Sequence, residues 1–132
     1  MTNQQTPPFN APVDAATAAT GLPVFDHLAA LSRLDDDKEL LATLLVMAFE
    51  NIPKTIAHLE ETLLNGDAIQ VKLEAHKLKG VAATVGAAAL ARVAMQIQSL
   101  AADNQLALIG ASLVALKNEF IQFKVEAKRV GY

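Results

Sequence analysis

The sequence predicts an all-α protein: an antiparallel four-helix bundle with a short additional N-terminal helix. Three observations carry this prediction. Hydrophobic residues make up 52% of the 132 residues but aromatic residues only 5%, with alanine and leucine, both strong helix formers, supplying much of the difference. Glycine (6) and proline (5) are few and clustered. Apolar residues recur at steps of three and four through four long segments, and no strand pattern or internal repeat is visible.

Residues 1–22 are expected to form a flexible tail or linker, and the bundle is expected to occupy residues 23–132. The first 22 residues contain three of the five prolines, many small polar residues and no periodic apolar stripe. Four apolar residues then predict a short first helix: Val24, Phe25, Leu28 and Leu31. Asp26 can cap its start, and we expect this helix to cover one end of the bundle.

A long second helix follows, and Asp36 with Glu39 resembles a capping box at its start. Its apolar stripe consists of Leu41, Leu45, Ala48, Ile52, Ile56, Leu59 and Leu63. The stripe keeps its phase across Pro53, which favours one kinked helix over two helices. Gly66 suits a left-handed cap at the end of this helix, and Asp67 can cap the next one.

Three further helices show the same spacing of apolar residues. The third stripe consists of Ala68, Val71, Ala75, Leu78, Ala82 and Val85, and Gly86 follows it. The fourth consists of Leu90, Val93 or Ala94, Ile97 and Ala101, closed by Asp103 and Asn104. The last consists of Leu106, Ile109, Leu113, Leu116, Phe120, Phe123, Ala127 and Val130. Four such helices joined by short turns are expected to pack as an antiparallel bundle.

Composition and motifs argue against several classes of function. The formal charge of −3 argues against a nucleic-acid-binding protein, and the absence of cysteine leaves no thiolate ligand or nucleophile. The sequence has no Walker loop, no dinucleotide fingerprint and no pair of Glu-x-x-His motifs for a di-metal site, so we expect no metal site. The apolar stretch 40–49 is about half the length that a bilayer requires. We therefore expect a cytoplasmic protein without membrane insertion.

Three histidines are the candidates for chemistry. His27, in the short first helix, and His58, on the polar flank of the second, are expected to be ordinary solvated side chains. His76 has a different setting, because it follows Ala75 of the apolar stripe and so lies about 100° around the helix axis from it. This placement predicts an exposed imidazole at the rim of the core face.

The neighbours of His76 one turn away suit phosphoryl chemistry. Lys72 precedes it by four residues, and Lys79 and Gly80 follow it by three and four. A neutral imidazole has one free ring nitrogen as a nucleophile, and nearby ammonium groups disfavour the imidazolium form. The same ammonium groups would offset the charge of an incoming phosphoryl group. Gly80 either leaves room for another protein's active site or serves helix packing.

The segment that begins at His76 resembles the signature of the histidine phosphotransfer (HPt) family. That signature is His-x-Leu-Lys-Gly followed by a glycine six residues later, and its members here are His76, Leu78, Lys79, Gly80 and Gly86. Ala87 and Leu90 also stand in the expected places. The lead-in LPVFDHLAALSRL and the NGD before the third helix extend the resemblance to roughly residues 22–125.

The resemblance implies a phosphoryl carrier without autokinase activity. His76 would accept a phosphoryl group from a receiver-domain aspartate and pass it to another receiver domain, with Lys79 neutralising phosphoryl charge. Gly80 would provide the steric opening and Gly86 would shape the turn. The partners implied are the receiver domains of hybrid sensor kinases and response regulators. The Mg²⁺ ion would belong to the receiver, so no cofactor of this chain is expected, and a monomer is expected.

Some positions leave alternatives open. Lys72 and Lys77 are candidates for partner contact, although Lys77 points away from the core face and is equally consistent with a solvated lysine. The family often has a glutamate after a leucine near the end of the following helix, where this chain has Gln98 after Ile97. Gln98 either orients the His76 ring by a hydrogen bond or faces solvent. The segment 81–85 is also more apolar than the family's common versions, which puts partner specificity in doubt.

Two rival interpretations also involve a helical histidine. A histidine-kinase dimerisation domain carries a phosphorylated histidine on a helix, but an ATP-binding domain normally follows it, and nothing here is long enough to be one. A purely structural or adaptor bundle would make His76 incidental. The retention of His76 together with Lys79 and Gly80 favours phosphotransfer over both.

Overall fold

The computed structural model describes residues 21–132, and these residues form helices and turns with no β-sheet among them. The elements are α1 (His27–Arg33), α2 (Lys38–Leu64), α3 (Ala68–Thr84), α4 (Ala88–Ala102), a short 3-10 turn (Leu106–Leu108) and α5 (Ile109–Val130). The predicted all-α class is therefore confirmed. Residues 1–20, which make up most of the predicted tail, lie outside the described residues.

The four long helices pack in a ring around one core. α2 contacts α3 and α5, and α4 contacts α3 and α5. Turns of three residues, 65–67 and 85–87, reverse the chain between α2, α3 and α4, so these neighbours run antiparallel. The largest fully buried side chains are Phe123, Leu41, Leu45, Ile52, Leu59, Leu78, Leu90, Ile97, Ile109, Leu116, Val71 and Val85. The predicted helical bundle is confirmed, with the predicted stripes at its centre.

The start of α2 differs from the prediction. Its N-cap is Asp37, whose Oδ1 accepts a hydrogen bond from the Leu40 N–H at 3.0 Å. Asp36 lies in the preceding loop at a φ of 61°, so the predicted capping box of Asp36 with Glu39 is wrong. The short connection from α1 requires left-handed backbone at this point, and aspartate adopts that conformation more readily than most residues. Further along, α2 continues through Pro53 as one helix, as predicted.

α1 covers one end of the bundle, as predicted. Asp26 caps it by accepting a hydrogen bond from the Ala29 N–H at 3.2 Å. The Phe25 ring packs edge-on against Phe123 at a centroid distance of 5.6 Å, in a geometry favourable for aromatic pairs. Leu28, one of the four apolar residues that predicted this helix, is 64% exposed and takes no part in its buried face. A helix of two turns presents a single narrow face to the core, and Leu28 lies outside that face.

The segment before α1 holds the turn between α3 and α4. The Asp26 N–H donates to the Gly86 carbonyl at 2.8 Å, and the Ala89 N–H donates to the Pro23 carbonyl at 3.1 Å. Gly86 has a φ of 80°, and a Cβ built on it would lie 2.5 Å from the Asp26 carbonyl oxygen. Only glycine therefore fits this turn, both because of its backbone conformation and because of this close approach.

Replacement of Gly86 by alanine is expected to lower the free energy of unfolding by about 1–3 kcal/mol, because it adds a steric clash to a left-handed backbone. Urea unfolding followed by circular dichroism measures the change. Gly66→Ala is the matched control, since Gly66 has a φ of 68° but open space where a Cβ would lie. A loss in Gly86→Ala no larger than that in Gly66→Ala would contradict the role given to the Asp26 contact.

Within the part of the chain that the structure describes, two helices are long and apolar enough to span a bilayer by length and composition alone, at Lys38–Leu64 and Leu106–Val130. Both contribute buried stripes to the core of the bundle. Core helices of soluble bundles meet the same criterion, so the finding by itself is weak evidence for membrane insertion.

Candidate functional site

α3 places the imidazole of His76 on the surface next to tightly packed core residues. Ala75 and Leu78 are 0% and 1% exposed, whereas His76 is exposed. The backbone beneath His76 is held by these buried neighbours and by the packing of α3 against α2 and α4. A side chain in this position has a well-defined base and an accessible ring, which is the arrangement that a reaction with a second protein requires.

The residues one turn from His76 leave its surroundings positively charged and open. Lys72 is exposed and Lys79 is half-buried, and neither makes an ion pair with another described residue. Gly80 is exposed, with no heavy atom within 4 Å of the position that a Cβ would occupy. The site therefore combines a nucleophilic side chain, two uncompensated ammonium groups and a gap in the side-chain surface.

Lys77 lies in a different environment from Lys72 and Lys79. Its Nζ is 3.5 Å from Oε1 of Glu74, a carboxylate that is only 7% exposed as a residue. The other oxygen, Oε2, is 3.1 Å from Nδ1 of His58 on α2. This cluster joins α2 to α3, so Lys77 already has an intramolecular partner. The sequence carries a signal for the Glu74–Lys77 pair in its spacing of three residues, but none for the contact with α2.

The other two histidines are less solvated than predicted. The side chain of His58 is 48% exposed and contacts Glu74, so the expectation of an ordinary solvated residue is incomplete. His27 is half-buried, and its ring centroid lies 5.8 Å from that of Phe25. The contact of His58 with Glu74 and that of His27 with Phe25 give each of these histidines a structural role.

Gln98 on α4 has a polar atom that the fold leaves unused. Its Oε1 is shielded from solvent and has no hydrogen-bond partner among the described residues. The residue follows the fully buried Ile97, and α4 packs against α3, which carries His76. Buried acceptors without a partner are rare in folded proteins, so this oxygen is available to a donor that moves into place.

Oε1 of Glu119 on α5 is a second acceptor that is shielded from solvent and has no hydrogen-bond partner among the described residues. Burial raises the pKa of the Glu119 carboxyl above its ordinary value. The ionised form is therefore less stable in the folded chain than in the unfolded chain. Desolvation of the carboxyl by the surrounding protein is the cause of this pKa shift.

Glu119→Gln is expected to raise the thermal midpoint at pH 7 and to have progressively less effect as the pH falls toward about 4, where the unfolded carboxyl takes up its proton. The pKa of the Glu119 carboxyl is higher in the folded chain than in the unfolded chain. Wild type therefore loses stability as the pH rises from the pKa of the unfolded chain to that of the folded chain. Thermal unfolding of wild type, Glu119→Gln and the exposed-site control Glu50→Gln measures this. A gain in Glu119→Gln that does not depend on pH would contradict the assignment to desolvation.

A metal centre has no support in the described part of the chain, since no group of three or more His, Asp or Glu side chains there could hold an ion. The residues that converge around His76 are cationic, and cationic side chains repel a metal ion. An exposed imidazole next to ammonium groups is an arrangement suited to nucleophilic attack with charge compensation from lysine.

Comparison with known proteins identifies the family. A family model described as the Hpt domain matches residues 43–125, which is more than half of the chain and includes α3 and α4 entirely. No curated protein and no solved structure matches the chain significantly. The match places His76, Lys79, Gly80, Gly86 and Gln98 inside the shared domain. The chain therefore belongs to the Hpt domain family, whose members are phosphocarrier modules of two-component signalling and not kinases.

Proposed function

We propose that this protein accepts a phosphoryl group on His76 from the aspartyl phosphate of one receiver domain and relays it to the aspartate of another. The observation that carries the proposal is the setting of His76 within the Hpt match. It is an exposed imidazole between two lysines that have no ion-pair partner among residues 21–132, and it lies one turn from an open glycine. Neither of the other two histidines, His27 and His58, has these neighbours.

The transfer step is a displacement at phosphorus. The free ring nitrogen of neutral His76 attacks the phosphorus, a P–N bond forms, and the P–O bond to the receiver's aspartate breaks. The aspartate leaves as a carboxylate, and the proton on the other ring nitrogen stays on the ring. Attack by the carboxylate of a second receiver reverses these bond changes. The chain thus stores the phosphoryl group between two partners.

Lys79 and Lys72 stabilise the phosphoryl group electrostatically in this proposal. Both lie one turn from His76 and have no competing carboxylate among the described residues. An unpaired ammonium close to the developing charge lowers the energy of the transition state and of the phosphohistidine. Lys77 has its charge directed toward Glu74, so we assign it a contact with the partner only at the edge of the interface.

Gln98 is proposed to orient the imidazole. Its buried Oε1 has no partner, and an imidazole N–H is the kind of donor that would satisfy it. A hydrogen bond of this kind would fix which ring nitrogen carries the proton and leave the other free for attack. No described hydrogen bond joins Gln98 to His76, so one of the two side chains would have to move to form this contact.

The partner supplies what this chain lacks for catalysis. We propose that the Mg²⁺ ion and most catalytic groups belong to the receiver domain, and that this chain needs no cofactor and has no autokinase activity. A cytoplasmic location follows from the proposed receiver partners. A monomer suffices, because the four helices of one chain enclose the core on their own.

Phosphoryl transfer from a panel of isolated receiver domains, each phosphorylated with labelled acetyl phosphate and Mg²⁺, tests the proposal. We expect at least one receiver to transfer label to the wild-type protein, and the product to be acid-labile and stable to base, as a phosphohistidine is. Addition of an unphosphorylated second receiver should then remove the label. Wild-type protein that stays unlabelled across a broad panel would overturn the proposed function.

A further inference from the structure

Helix α5 turns three large apolar side chains outward, away from the core. Val114, Ile121 and Val125 are 62%, 55% and 59% exposed. At about 100° per residue they fall within an arc of about 40°, and the buried residues of α5 lie on the opposite side of the helix. Asn118, which stands between them on this side, is uncharged. The three side chains therefore form one exposed apolar stripe, about 16 Å long.

Lysines border this stripe along one edge. Lys117, Lys124 and Lys128 are exposed and lie about 40–80° around the helix from Val114. Lys117 is bonded to Glu60 of α2, whereas the other two lysines have no carboxylate partner among residues 21–132. We call the surface made by the stripe and its lysines the α5 outer face. Its residues are Val114, Lys117, Ile121, Lys124, Val125 and Lys128.

The two carboxylates of α5 point away from the α5 outer face. Glu119 and Glu126 lie about 120–140° around the helix from Val114. Glu126 is buried and bonded to Arg129, and Glu119 is half-buried. α5 thus has four basic residues and no exposed acidic one, although the chain as a whole has a formal charge of −3. The α5 outer face is therefore a cationic surface on an acidic protein.

The shape of the α5 outer face is that of a ridge. The grooves described for residues 21–132 lie elsewhere, and none is lined by its six side chains. An apolar stripe beside lysines is the pattern of helices that lie in the plane of a bilayer, with the stripe at the boundary between headgroups and acyl chains. The long lysine stems allow the ammonium groups to stay at the level of the headgroups.

We propose that the α5 outer face adsorbs on the surface of an anionic lipid bilayer. Charge complementarity favours this partner over a second copy of the chain. Two α5 outer faces in contact would bring the lysines of both copies together, and α5 offers no exposed carboxylate to pair with them. The opposite side of α5 belongs to the core, so the chain stays peripheral and does not cross the bilayer. The adsorption is independent of the proposed phosphotransfer.

Adsorption through α5 leaves His76 accessible. In the ring of four helices, α2 and α4 separate α5 from α3, so α5 and α3 lie diagonally across the core. The exposed imidazole on α3 therefore faces water when α5 lies on a membrane. Confinement to the membrane surface raises the effective concentration of the chain for any partner held at the same membrane.

Sedimentation with lipid vesicles tests the charge of this surface, with phosphatidylcholine vesicles compared with vesicles in which half of the lipid is phosphatidylglycerol. We expect wild type to bind the anionic vesicles about fivefold more strongly or better at low ionic strength. Salt at about 0.5 M should remove this preference by screening exposed charges. Lys128→Glu should weaken binding about tenfold, because it replaces an attraction by a repulsion. Lys54→Glu, the same change at an exposed lysine of α2, is the matched control and should bind nearly as wild type does.

Ile121→Gln tests the apolar stripe in the same assay. We expect binding to anionic vesicles to weaken about threefold, because less apolar surface leaves water on adsorption. Ile69→Gln on α3 is its control, since Ile69 is 73% exposed but lies on another helix. Binding of Ile69→Gln should match that of wild type.

Several outcomes would overturn the membrane assignment. They are equal binding to both kinds of vesicle, binding to neither, or equal losses in the α5 variants and their controls. A dimer in sedimentation equilibrium that Ile121→Gln dissociates would also overturn it, since the surface would then join two copies. Lys128→Gln, checked by circular dichroism, guards against a folding defect of the glutamate variant and should weaken binding about threefold. Phosphoryl transfer from a soluble receiver should be unchanged in Lys128→Glu, so failure of one proposal leaves the other standing.

Discussion

Replacement of His76 by glutamine is expected to abolish phosphoryl transfer to this protein while leaving its fold intact. Glutamine has similar size and polarity but no nucleophilic ring nitrogen, so a P–N bond cannot form. His76 is exposed, and no described hydrogen bond or ion pair of the fold depends on it, so the loss should be confined to chemistry. Incubation with a labelled phosphoreceiver and circular dichroism of the same sample measure both properties.

His58→Gln is the matched control for this experiment. His58 is also a histidine on the surface of a long helix, but its imidazole contacts the Glu74 carboxylate instead of lying between lysines. Negative charge next to a histidine opposes the arrival of a phosphoryl group. We expect His58→Gln to take label at the wild-type level. Label remaining on His76→Gln, or lost from His58→Gln with the fold intact, would show that another histidine is the acceptor.

Gly80→Gln is expected to slow transfer from a phosphoreceiver by tenfold or more while slightly raising thermal stability. The position has open space around it, so the fold accommodates a side chain, and glutamine is a better helix former than glycine by somewhat under 1 kcal/mol. The new side chain would nevertheless lie one turn from the imidazole, where the receiver must approach. Single-turnover transfer rates and thermal unfolding together separate these opposite effects.

Gly80→Ala distinguishes obstruction from backbone effects. Alanine brings an equal or larger gain in helix propensity but adds only a methyl group to the surface. We expect it to be stabilised and to transfer at nearly the wild-type rate. A similar slowing in both variants would indicate that flexibility at position 80, and not open space, is what transfer requires.

The fold supports the site through the helical hairpin that α3 and α4 form. Its turn is held at Gly86 by the segment before α1, and Arg33 adds a hydrogen bond from Nη2 to the Ala83 carbonyl at 2.6 Å. The other side of α3 is joined to α2 by Glu74 and His58. None of these contacts uses the side chain of His76, so they hold α3 in place without occupying the imidazole.

The sequence by itself determined the helices and the phosphoacceptor candidate. Apolar residues that recur at steps of three and four predict α2 to α5, because a continuous buried stripe depends only on local spacing. Gly66 and Asp67 were sufficient to place one turn, since the left-handed residue and the cap act within a few residues of themselves. The part of the motif from His76 to Gly80 spans about one turn of one helix, so its members are neighbours whatever the rest of the fold.

Only the tertiary structure decided the features that join distant parts of the chain. It selected Asp37 instead of Asp36 as the cap of α2, left Leu28 in solvent and paired Glu74 with His58 across two helices. It also brought Met47 of α2 beside the end of α3. Each of these outcomes depends on the path of a loop or on the rotation of one helix against another, and the spacing of residues within one helix contains neither.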